Sequence, residues 1–297
     1  MTIQRPTPMP TLFVPHGAGP CFFMEWSPAD AWTAMADFLR GIAATLPRTP
    51  EAIVLISGHW LAPEFQVTGA RQPDLIYDYY GFPAHTYALR YPAPGEPALA
   101  ARLASLLSDA ALPCAIDHER GFDHGVFIPL KLMFPQAQIP VVQLSLRQDL
   151  SPAAHLAAGR ALAALREQDV LIVGSGMSFH NMRGYGDPHF GPISERFDAW
   201  LTETVEAPAD ERDARLRDWQ QAPEARLCHP PRAEEHLIPL LVAAGAAGES
   251  RGRRIFSDHV METALSAYRF GWPPFLKRRI SLCTCPLPTS PVRTPAD

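Results

Sequence analysis

Residues 52–60 read AIVLISGHW. The first five are apolar, with no polar residue between them. A strand buried on both faces reads this way, because neither face meets water. Ser-Gly-His-Trp follows where the run stops. A loop that only has to turn is served by Gly with Asn or Asp. A histidine in that place is either a polar residue at the edge of a layer or a donor aimed into a site.

Similar runs occur at 11–14, 141–146 and 170–173. Between and after the runs lie Ala- and Leu-rich stretches, predicted as helices over 29–46, 97–112, 152–166, 193–205, 237–247 and 258–268. In 97–112, Leu99, Leu103, Leu106 and Leu107 share one face at helical spacing. The alternation predicts an α/β fold, a three-layer α/β/α sandwich around a central, mostly parallel sheet.

The chain has 297 residues, of which 47% are apolar, so a sizeable core is available. Net charge is −5, and no Lys/Arg block precedes residue 277. That argues against nucleic acid as a partner. No apolar run reaches the length of a membrane span, and no basic start followed by an apolar segment marks a secretory signal. Cys21, Cys114, Cys228, Cys283 and Cys285 are odd in number and scattered, which points to a reducing cytoplasm. From Pro273 onward Pro, Thr and Ser prevail without a period. Residues 1–272 are therefore read as one domain and 273–297 as a flexible tail. The single C-x-C at Cys283 and Cys285 is read as two incidental thiols, because no second pair lies near.

Three of the runs lead into a histidine: TLFVPHG into His16, AIVLISGHW into His59, VLIVGSGMSFHN into His180. In an open α/β sheet, ligands bind beyond the carboxyl ends of the strands. If these strands are parallel, the three histidines meet at one edge. His236 follows Glu234 and Glu235 at the start of a predicted helix. His124 follows Asp123, which could fix its tautomer. Each alone has a plain alternative: a hydrogen-bonded loop residue, a helix cap for His236, a structural role for His124. Three on equivalent strand ends favour a shared site. Several neutral imidazoles together predict a transition metal (Zn, Fe, Cu or Ni) over Mg or Ca. His85, His118, His155, His189, His229 and His259 lack such placement and are read as surface or loop residues, with His229 left open.

The segments PHGAGP, SGHW, YDYYGFPAHTYALRYPAPG, GFDHGVFIPL, GSGMSFHN and EEHLIPLLVAAGAAG resemble, in order, the class III extradiol ring-cleavage dioxygenases, in particular the 4,5-DOPA dioxygenase extradiol subgroup. The resemblance implies an enzyme that opens a small catechol with O2 to a muconic semialdehyde. It implies one divalent metal per chain, Zn(2+) or Fe(2+), with His16, His59 and His236 as donors. His180 would be a further donor, the acid–base catalyst, or both. His124 would steady reacting oxygen by hydrogen bonding. Glu235 and His229 are the alternatives to His236. Phe179 stands where smaller residues are common, which would reshape the pocket, and Tyr77, Tyr79, Tyr80 and Phe82 could line it. A zinc hydrolase on the same donors and a non-enzymatic binding protein are the competing readings. Either a monomer or a homodimer suits the sequence.

Overall fold

A computed structural model describes residues 7–271. The expected tail, Cys283, Cys285 and the boundary drawn at 272 lie outside the described residues. Among the described residues eight strands form one sheet: β1 (Thr11–Pro15), β2 (Ala52–Ala62), β3 (Phe65–Thr68), β4 (Cys114–Asp117), β5 (Val141–Arg147), β6 (Val170–Gly176), β7 (Gly252–Val260) and β8 (Thr263–Phe270). Their order is β4-β3-β5-β2-β6-β1-β8-β7. The central four, β5, β2, β6 and β1, are parallel. β3 joins β5, and β8 joins β1, antiparallel. The expected mostly parallel α/β sheet is the one observed.

Among the described residues eight α-helices accompany it: α1 (Thr33–Thr45), α2 (Pro97–Asp109), α3 (His124–Met133), α4 (Pro152–Leu162), α5 (Phe190–Glu206), α6 (Ala209–Arg217), the single turn α7 (Ala225–Cys228) and α8 (Ile238–Ala246). Local chemistry starts two of them. Glu96 accepts from the Ala98 N–H ahead of α2, Ser151 accepts from the Ala154 N–H ahead of α4, and each helix has proline in its first turn. α1 and α3 pack together, with α3 against β2 and β6; α4 and α8 pack together, with α8 against β6 and β1. The end of β6 separates these layers residue by residue. Ser175 faces α3 and bonds the Gly125 carbonyl, whereas a Cβ on Gly174 would strike Pro239 of α8. Among the described residues no helix is long and apolar enough to cross a membrane, and Cys21, Cys114 and Cys228 are free.

Two expectations need correction. Residues 258–268 are not a helix. They belong to the β7–β8 hairpin, whose two-residue turn is Met261-Glu262, both at positive φ. Every residue of β8 is buried, so the strand shows no polar alternation, and its turn lacks the Asn and Gly that signal a hairpin. Nor does the second strand stop at Ile56. β2 runs on to Ala62, and its register against β5 shifts between Ile56 and Leu61. His59 stands on that irregular stretch, where a departure from the ladder re-aims a side chain.

Candidate metal centre

β1, β2 and β6 run side by side in the same direction, so their carboxyl ends share one edge. His16 follows β1 directly, and its N–H donates to the Gly176 carbonyl at 3.2 Å. His59 lies near the end of β2. His236 sits just before α8, and its carbonyl accepts from the Met177 N–H at 3.0 Å. That approach needs glycine at 176, because a Cβ there would collide with the His236 carbonyl. Three imidazoles thereby meet: Nε2 of His59 lies 3.2 Å from Nε2 of His16 and 3.2 Å from Nε2 of His236.

The partners of the other ring nitrogens fix which nitrogen carries the proton. Ser175 donates its only hydroxyl hydrogen to Gly125 O, so toward His16 it must accept. His16 Nδ1, 3.0 Å away, is therefore the donor. His236 Nδ1 donates to Glu235 Oε1 at 2.9 Å. His59 Nδ1 faces Asp78 Oδ2 at 3.5 Å. Nε2 of His16 and Nε2 of His236 are then bare lone pairs, and both crowd Nε2 of His59. Protonation does not relieve this. Burial, then the neighbouring imidazoles, push His16 and His236 well below the usual histidine range and take His59 to about 3. A cation relieves it, and three imidazole nitrogens within 4.8 Å of one another fit a borderline transition metal.

His124 opens α3. Its backbone N–H and its Nδ1 both donate to Asp78 Oδ1, at 3.0 and 2.8 Å. Asp123, adjacent in sequence and expected in that role, turns away to Ser57, Gln143 and Arg120. Burial alone would raise the Asp78 carboxyl, but the hydrogen bond from His124 and the nearby imidazoles bring it down to about 2. Asp78 thus holds both His59 and His124, and it went unnoticed in the sequence. His180 lies beyond β6 with its ring stacked on that of His236. Its Nδ1 is buried without a hydrogen-bond partner, 3.7 Å from Glu235 Oε1. Burial lowers its pKa to about 4.

Glu235 therefore stands on the outer, Nδ1 side of His236. His229 is buried away from the cluster and bonds Ser178 O at 2.8 Å. His155, expected at the surface, is buried as well, between Ser151 O and the Arg147 N–H. His16, His59, His124, His180 and His236 all line one cavity of about 330 Å³. Tyr79 and Phe82 line it too, whereas the Tyr77 hydroxyl bonds Leu89 O and Tyr80 is 91% exposed. Phe179 does not line it; its ring packs against Tyr185 and Phe190.

A mostly parallel sheet with a three-imidazole cluster and an aromatic-walled cavity at its carboxyl edge has the makings of a mononuclear metalloenzyme. Residues 10–271 match the family described as the catalytic LigB subunit of aromatic ring-opening dioxygenase. A dioxygenase of Hapsidospora irregularis, tasH, is 42% identical, over 75% of this chain and 72% of its own length. The 4,5-DOPA dioxygenase extradiol of Escherichia coli is 37% identical over 82% of this chain and 87% of its own, and that of Beta vulgaris 40% over 68% and 75%. The crystal structure of an uncharacterized protein from Escherichia coli K12 superposes with a TM-score of 0.71 at 31% identity, covering 89% of this chain and all of its own. The chain belongs to the LigB family and is an extradiol aromatic ring-opening dioxygenase. Enzymes of this family use a divalent metal, and the three-histidine cluster is a place that could hold one.

Proposed function

We propose that the protein opens the ring of a catechol-type substrate beside its diol, with O2, to a muconic semialdehyde, using one divalent metal held by Nε2 of His16, His59 and His236. The convergence of three Nε2 atoms on a cavity of about 330 Å³ with aromatic walls carries this reading. Iron(II) bound there supplies Lewis acidity toward the two hydroxyls and an electron path from the ring to O2.

The chain's own residues do the rest. The aromatic walls hold the ring against the histidine end and exclude water. His180 is the base. Burial keeps its imidazole neutral at pH 7, so it arrives able to accept the proton of a catechol hydroxyl, and the anionic substrate beside it then stabilises the imidazolium. His124 has its Nδ1–H committed to Asp78, which leaves Nε2 to hydrogen-bond substrate oxygen. A bond between the diol and its neighbouring ring carbon breaks, and both atoms of O2 end in the product as carboxylate and aldehyde oxygen.

The test is anaerobic loading with iron(II), then a panel of catechols followed by O2 electrode and visible absorption. Equimolar O2 uptake with a yellow product is expected. Protein carrying one iron per chain that consumes no O2 with any catechol would overturn the reading.

A further inference from the structure

The cavity's far walls carry no formal charge. Trp26, Trp32, Tyr79, Phe82, Tyr185 and Met177 form them, and among the described residues no Lys, Arg, Asp or Glu lines the space. The two tyrosine hydroxyls are already committed, Tyr79 to Thr86 O at 2.7 Å and Tyr185 to Phe179 O at 2.8 Å. Two further lining residues, Met182 and Met261, are exposed, 70% and 37% respectively. They mark where the cavity meets solvent. Large apolar side chains held in water at the rim of a pocket point to a ligand that covers them.

Met261 is held there against its backbone preference. It is the first of the two turn residues between β7 and β8, with φ +49°, and Glu262 follows at +68°. Asn-Gly is the favoured pair for such a turn, and a methionine gains nothing locally from the left-handed region. The Gly186 N–H donates to the Met261 carbonyl at 2.8 Å and pins the turn beside the cavity. A disfavoured conformation fixed by its surroundings, with its side chain lining a pocket, argues that the side chain serves the pocket.

From these observations, and resting on the ring-opening reading above, we infer that the substrate is a catechol whose ring substituent is uncharged and apolar and lies between Met182 and Met261. A zwitterionic amino-acid side chain entering these walls would lose water and find no counter-charge. An alkyl or aryl substituent would gain burial, against thioethers that adapt to irregular shapes.

The test separates binding from turnover. Zinc-loaded protein under argon is titrated with 4-propylcatechol and with L-DOPA, which share a three-carbon side chain and differ in its charges, with tryptophan fluorescence as the readout. The expected Kd for 4-propylcatechol is at least about tenfold the lower. Equal affinity, tighter binding of L-DOPA, or no binding of 4-propylcatechol where unsubstituted catechol binds would overturn the inference. The right order of affinity with no turnover after iron loading would count against the ring-opening reading alone. Met261→Asn suits the left-handed turn and removes the thioether. It should raise the Kd of 4-propylcatechol about fivefold and leave that of unsubstituted catechol nearly unchanged. An equal effect on both ligands, or none, would show that Met261 does not select the substituent.

Discussion

His180 and His236 lie ring on ring, with centroids 3.4 Å apart and planes 16° from parallel, yet only His236 turns its Nε2 toward His59. Under the proposed function the neighbouring rings have different tasks. Replacing His180 with Gln should leave the metal in place, since three imidazoles persist. It should slow single-turnover ring opening by roughly 10²–10⁴-fold if proton transfer is its whole contribution. Metal content and turnover measured on one preparation decide the matter. Loss of the metal would make His180 a ligand, and full activity would deny it both roles.

Asp78 orients two histidines through one carboxylate. Asp78→Asn keeps an oxygen to accept from the His124 backbone and ring and puts an NH2 group where Oδ2 faces His59 Nδ1. The proton on His59 Nδ1 would no longer be fixed. Zinc affinity, read by competition with a chromophoric chelator, should fall about 10–100-fold, while the circular dichroism spectrum stays unchanged. Unaltered affinity would reduce Asp78 to a support for α3.

His155 and His229 lie outside the cluster, and burial takes their pKa to about 4 and about 3. Unfolded, each titrates near 6.5. Below that pH the unfolded chain binds protons that the native chain refuses, so stability falls as pH drops from 6.5 toward 4. Each histidine should cost up to about 2 kcal/mol between pH 7 and pH 5. The urea midpoint of the metal-free protein should therefore be clearly lower at pH 5. An equal midpoint at both values would show that these side chains open to solvent.

Glu262 occupies the second, left-handed position of the β7–β8 turn. Glycine adopts that conformation without steric cost. Glu262→Gly should raise stability by about 1 kcal/mol and leave catechol binding intact. Thermal melting checks it, and a lower Tm would mean that the Glu262 side chain makes a compensating contact.

The central strands were legible because burial on both faces writes a continuous apolar run. β3 and β4 were not: FQVT and CAID are short and mixed, and they sit at the end of the sheet. β8 reads as helix because of its Ala and Leu, and its burial depends in part on β1, far away in sequence, which covers the edge that β7 does not. The five cavity histidines were visible as residues after strands or beside helix starts, and the family resemblance tied them together. The supports beneath them were not visible. Asp123 was the obvious carboxylate for His124, but the chain brings Asp78 across 46 positions instead. His155 looked like a surface residue because its burial is made by the backbone of Arg147 and Ser151 and by the ring of Phe65.

The spacing of the cluster also bears on how the protein is made. His16 and His59 are 43 residues apart, and His59 and His236 are 177 apart. A chain emerging from the ribosome offers two of these imidazoles well before the third. If these three imidazoles hold the metal as proposed, tight uptake waits until β1, β2, β6 and the approach to α8 are assembled together. Bound metal favours the finished fold by mass action. A metal bound there would thereby protect the finished fold against local opening and the proteolysis that follows from it.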